Sequence, residues 1–95
     1  MNIKDLHTPE KSVSAIPIFK NEGSHSISLR ILKGEILKEH ITKVPALLIC
    51  FEGNALFENE AGLSETLLPG DYIHIEPFLK HWVKGIEESQ LLLLK

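Results

Sequence analysis

Histidine is the residue type in this chain best suited to chemistry, and two histidines stand in turn-bounded stretches: His40 in Gly34…His40…Gly53, and His81 after Pro69-Gly70-Asp71. An imidazole ligates transition metals through a neutral ring nitrogen, and its ordinary pKa suits proton transfer near neutrality. Near His40 lie Thr42 and Ala46, which offer a neutral hydroxyl and a methyl. Structural zinc sites use four protein ligands and catalytic ones three. Non-haem iron sites add a carboxylate to two histidines. Two imidazoles alone bind a metal weakly and unselectively.

The other candidates fall away from this pair. Cys50 shares strand parity with Ala46 but lies four residues on, about 13 Å along an extended chain. It is expected as a buried core thiol. His74 alternates with Ile73 and Ile75, so it faces outward with Tyr72 and Glu76 if those isoleucines face the core. Glu39 neighbours His40 and points to the other sheet face, and Glu52 sits at a closing turn. No Gly-x-Ser-x-Gly elbow is present, and Cys50 has no evident base beside it.

The elements that must position these residues are strands. Ile27, Leu29 and Ile31 alternate with Ser26, Ser28 and Arg30, the period of a half-buried strand. Ala15-Ile16-Pro17-Ile18-Phe19 reads as an edge strand, because proline cannot donate to a central ladder. Segments 45–51, 54–58, 63–68, 72–76 and 81–85 are short and bounded by turn residues, with Pro69-Gly70 suited to a type II turn. Residues 87–95 are rich in helix formers, yet four consecutive leucines fit a final strand buried on both faces better. Residues 1–12 form an N-terminal segment, either a helical turn or disordered, and residues 13–95 one domain. Eight or nine short strands make an all-β sandwich or barrel.

Parity leaves the direction of His40 open. On a regular strand it faces solvent with Lys38, whereas a bulge or bend near Lys38 turns it inward. His81 shares parity with Val83, which suits an interior.

The two stretches resemble the paired motifs of the cupin superfamily over roughly residues 28–95. Gly34, five residues, His40 and the closing Gly53 match the first motif, with Thr42 at the second histidine position and Ala46 at the glutamate position. Gly70-Asp71, a strand, Pro77 and His81 match the second, with Phe78 where glycine is common. The resemblance implies a jelly-roll barrel of short antiparallel strands, often dimeric, with a pocket at one mouth. It also implies a divalent transition metal (Fe, Mn, Zn or Ni), for which only His40 and His81 remain as ligands, so the metal is weakly bound or absent.

The expected function is therefore binding of a small organic ligand in an apolar pocket lined by His40, Thr42, Ala46 and His81. The alternative is a metal-dependent enzyme of the dioxygenase or isomerase kind with His40 and His81 as partial ligands. A third reading uses either histidine as a metal-free general acid or base. Ala46, Leu48 and Cys50 can fill the barrel and leave Leu47, Ile49 and Phe51 outside. That apolar outer face calls for a cover, either a second copy in a homodimer, with Trp82 nearby, or Ile16, Ile18 and Phe19 of the same chain.

Composition limits the partners. The chain has 95 residues, 43% apolar, with a net charge of −3 and no basic cluster, which argues against nucleic acid or an anionic membrane surface. One cysteine excludes an intrachain disulfide. The N-terminus lacks the apolar run of a secretion signal, and a cytoplasmic protein is expected.

Overall fold

The alternation read from the sequence builds two antiparallel sheets facing one another. A computed structural model describes all 95 residues. After a 3₁₀ turn at Ile3–Leu6, nine strands follow: β1 Val13–Asn21, β2 Ser24–Ile31, β3 Ile36–His40, β4 Ala46–Glu52, β5 Ala55–Asn59, β6 Ser64–Leu67, β7 Tyr72–Ile75, β8 His81–Gly85 and β9 Ser89–Leu94. The larger sheet runs β1-β2-β9-β4-β7 and the smaller β3-β8-β5-β6. This is an all-β jelly-roll barrel. No helix is long and apolar enough to cross a membrane.

The core lies between the sheets. Leu29, Leu91 and Cys50 are aligned across β2, β9 and β4, and all are buried. From the smaller sheet, Phe57 pairs with Val83 and both face inward, 1% exposed. Burying a side chain such as Leu91 stabilises the fold by about 1.5–3 kcal/mol. β9 sits at the centre of the larger sheet, which accounts for its leucines. Leu91 and Leu93 pack on the core, while Leu92 and Leu94 turn to the outer face.

Pro17 lies on β1, an edge strand, next to an irregularity between Pro17 and Phe19. The missing proline N–H therefore costs no central ladder bond. At the Leu68–Asp71 turn, Gly70 adopts φ 97°, and the Asp71 N–H donates to the Leu68 carbonyl at 2.8 Å. Glycine takes that positive φ without steric cost.

Residues 1–12 form a strap across the outer face of the larger sheet. His7 is buried, and its ring nitrogens bond the hydroxyls of Ser14 (2.7 Å) and Ser28 (2.8 Å). Arg30 Nη2 donates to the carbonyls of Thr8 and Lys11, and Lys4 pairs with Glu52 at 3.1 Å. Leu47, Ile49 and Phe51 remain half-buried on this face. Trp82 does not join them. It lies on β8 in the other sheet, where its indole N–H donates to Glu58 at 2.9 Å, because His81 and Val83 take the inward positions of that strand.

Candidate functional site

The direction of His40 is decided by one extra residue. Ile36 and Leu37 pair with Lys84 and Val83, but the register then shifts, so that His40 pairs with His81. A one-residue slip moves every following side chain to the opposite face. The irregularity falls between Leu37 and His40, in the stretch where a bulge or bend would turn His40 inward. Without it, His40 would point away from His81.

The two rings meet edge to face, their centroids 4.1 Å apart at 61°. His81 is 2% exposed and stacks on Phe57 at 5.5 Å and 23°. His40 is half-buried. Each ring is oriented by a carbonyl two residues back: His40 Nδ1 donates to Lys38 O at 3.0 Å, and His81 Nδ1 to Leu79 O at 3.4 Å. A carbonyl only accepts, so Nδ1 carries the hydrogen. In the neutral ring that leaves the Nε2 lone pair free on each.

Burial pushes the pKa of His81 below the ordinary histidine value, and the nearby charges of His40 and Lys95 push it the same way. His81 is therefore a neutral imidazole at neutral pH. It can accept a hydrogen bond at Nε2 or take a proton there.

Thr42 and Ala46 lie on the chain leaving β3. Thr42 is 5% exposed, and its hydroxyl has no partner. Its carbonyl accepts the Phe78 N–H at 2.8 Å, which ties the β3–β4 loop to the β7–β8 loop. Ala46 opens β4 opposite Ile75 and is buried in the core. No single depression collects all four residues. One of about 460 Å³ reaches His40 beside Val13, Ile36 and Leu37, another of about 420 Å³ reaches Thr42, and the others reach none of the four.

The remaining candidates sit apart. Cys50 is fully buried, its thiol 3.4 Å from the Glu52 carbonyl, and burial raises its pKa. His74 is exposed and packs against Tyr72 at 5.8 Å. Glu39 and Glu52 are exposed.

The donor set does not fit a resident divalent metal. Two imidazole nitrogens stand beside a threonine hydroxyl and an alanine methyl, and no three His, Cys, Asp or Glu side chains gather closely enough to hold an ion. That is short of the three or four protein ligands of zinc sites.

Two features of the mouth carried only faint sequence signals. Phe78 is the one non-glycine residue at positive φ (64°), and it is 68% exposed. Its signal was the aromatic standing where the resemblance expects glycine. His25 and Lys95 exchange backbone hydrogen bonds of 2.6 and 2.9 Å, a pairing invisible in the sequence.

The arrangement of strands has close counterparts among solved structures. A cupin superfamily protein from Desulfitobacterium hafniense superposes with a TM-score of 0.86 over 98% of this chain and 84% of its own, at 15% identity. The chain has the cupin fold. A cupin-2 domain protein from Shewanella frigidimarina shares this cupin barrel at a TM-score of 0.80 and 16% identity, over 100% of this chain and 92% of its own. An RmlC-like cupin from Desulfovibrio desulfuricans aligns at 0.78 and 14% identity, over 86% and 79%. No protein-family model and no curated protein matches the sequence. The superpositions establish the fold, and at identities this low they establish nothing more, so the chemistry has to be argued from the residues of the mouth.

Proposed function

We propose that this cupin barrel binds a small organic ligand at the mouth where His40 and His81 meet, and that it does so without a complete catalytic metal site. The observation that carries the reading is the paired imidazoles, each with Nδ1–H held by a carbonyl and Nε2 left as an acceptor. Exposed Ile41, Val44 and Phe78 supply apolar surface on the two neighbouring loops. Binding sites of this kind combine apolar walls with a few placed polar groups. A buried neutral base at His81 also suits proton transfer, but no carboxylate bonds either imidazole to orient it.

The metal-dependent dioxygenase or isomerase reading is favoured by one feature, since metal-binding histidines commonly donate their other ring N–H to a carbonyl. Elemental analysis of protein purified without a polyhistidine tag separates the two. The ligand-binding reading predicts substoichiometric metal, together with loss of small-molecule binding in His81→Ala. A stoichiometric transition metal would favour the enzyme.

We also propose that the protein is cytoplasmic and that two copies pair through the outer face around Leu47, Ile49 and Phe51. Half-buried Leu92 and Leu94 on the adjoining strand support this. Light scattering at micromolar concentration should give a dimer mass that Ile49→Asp reduces to a monomer.

A further inference from the structure

Of the first twelve residues only His7 is buried. Its ring is seated between the hydroxyls of Ser14 on β1 and Ser28 on β2, at 2.7 and 2.8 Å, and those serines are closed to water. The other fastenings of the strap are polar as well. Arg30 Nη2 donates to the carbonyls of Thr8 and Lys11, and Lys4 pairs with Glu52 at a half-exposed site. No apolar side chain of the strap is buried.

The seat of His7 has no place for a charge. A neutral imidazole donates from one ring nitrogen and accepts at the other. Protonated, it donates from both, and the serine hydroxyl that had donated to it must turn its hydrogen away where water does not reach. The new charge would also stand close to Arg30, whose guanidinium is bonded to the carbonyl of the next residue, Thr8, at 2.8 Å. The surroundings do not compensate. β1 presents Ser14 and β9 the uncharged Gln90, Glu52 on β4 is taken by Lys4, and Asp5, Glu10 and Lys11 on the strap are exposed.

The sheet is also prepared to lose its cover. Ser14, Arg30, Gln90 and Glu52 are aligned across β1, β2, β9 and β4, and Arg30 Nε and Gln90 Oε1 are buried without partners. Lifting the strap lets water reach both. The hinge lies at Ser12, whose carbonyl accepts the Leu32 N–H at 2.9 Å as the chain enters β1.

We propose that the N-terminal segment is an acid-released strap, closed on the sheet while His7 is neutral and detached when His7 takes a proton, with the barrel still folded beneath it. Closed, His7 binds a proton less readily than an ordinary histidine of pKa 6.5, because burial and then Arg30 oppose the charge. Open, it returns to that value. Each proton taken up below about pH 6.5 therefore shifts the strap toward the open form.

The test is ¹⁵N relaxation of labelled protein from pH 7.5 down to about pH 4.5, read beside the two-bond ¹H–¹⁵N correlation of the His7 ring. Backbone order parameters in the strap should fall from about 0.85 to below about 0.6, reversibly and with the midpoint of the His7 ring, while β5 and β8 stay rigid. Lys4→Gln, which removes only an exposed ion pair, should keep the response. His7→Gln, whose amide donates and accepts but does not titrate, should keep the strap ordered throughout.

A strap that stays rigid after the His7 ring has titrated, or loosens at an unrelated midpoint, would overturn the proposal. So would loosening of β5 and β8 at the same pH, which would mark general acid unfolding, or an unchanged acid response in His7→Gln. If the strap of His7→Gln is already loose at pH 7.5, the coincidence of the two midpoints in the unsubstituted protein decides.

Discussion

The amide of Phe78 donates to the carbonyl of Thr42 at 2.8 Å while Phe78 itself is held at φ 64°. A left-handed conformation costs a residue with a side chain about 1–2 kcal/mol, and the exposed ring recovers little of this by burial. Phe78→Gly should therefore stabilise the protein by about 0.5–1 kcal/mol in urea denaturation, once the greater chain entropy of glycine is set against the relieved strain. In the same variant, ligand affinity should fall, because the mouth loses an aromatic surface. A clear loss of stability would show that the ring is held by contacts stronger than its exposure implies.

His7 fastens the N-terminal strap. Its side chain satisfies the hydroxyls of Ser14 and Ser28, which are 1% and 0% exposed. His7→Ala strands both, at a cost of about 1–3 kcal/mol, whereas His7→Gln retains part of the bonding and should cost less. Hydrogen exchange should quicken along residues 1–12 in His7→Ala. Unchanged stability would mean that the strap does not bear on the sheet.

Stability should also fall in mild acid. Burial lowers the pKa of both His7 and His81 from the ordinary 6.5, with Arg30 adding to the effect on His7 and His40 and Lys95 on His81. Below that value the unfolded chain binds protons that the folded one refuses. The stability present above pH 6.5 is therefore lost as the pH falls from there toward the folded values. Melting temperature should be flat just above neutrality and decline below about pH 6.5. The decline should be shallower in His7→Gln/His81→Gln, whatever the absolute stability of that variant. A wild-type profile that rises as the pH drops would contradict the sign.

Gly53 closes the turn between β4 and β5 at φ 97°. A Cβ there would meet the Glu88 carbonyl and lie 2.7 Å from Ser89 Cα, both backbone atoms with no room to give. Gly53→Ala should cost more than about 3 kcal/mol or prevent folding. Gly23→Ala, also at positive φ but with nothing within 4 Å, should lose only the backbone term, about 1–2 kcal/mol. Denaturant midpoints of the two variants compare them directly.

Period-two alternation makes the barrel legible in the sequence. Ile27, Leu29 and Ile31, the edge proline Pro17 and the Pro69-Gly70 turn each impose a local constraint that the fold obeys. His40 is harder, because its direction depends on a single inserted residue at Lys38–Glu39, and periodicity fits a regular strand with His40 outward as well as a bulged one with it inward. The burial of His7 was not legible at all. It follows from two serines on β1 and β2 that only the folded sheet brings under the strap. Trp82 was misplaced for the same kind of reason, since its position depends on which sheet β8 joins.

The central claim is that His40 and His81 present free Nε2 atoms to a ligand. Two-bond ¹H–¹⁵N correlation of the imidazoles measures this directly, with cyclohexanecarboxylate titrated in at pH 7.5. The account predicts the Nδ1–H tautomer for His81, and Nε2 signals of His40 and His81 that move on titration while those of His74 stay in place. An Nε2–H tautomer at His81, or a pair of rings that ignores every ligand the protein binds, would contradict it.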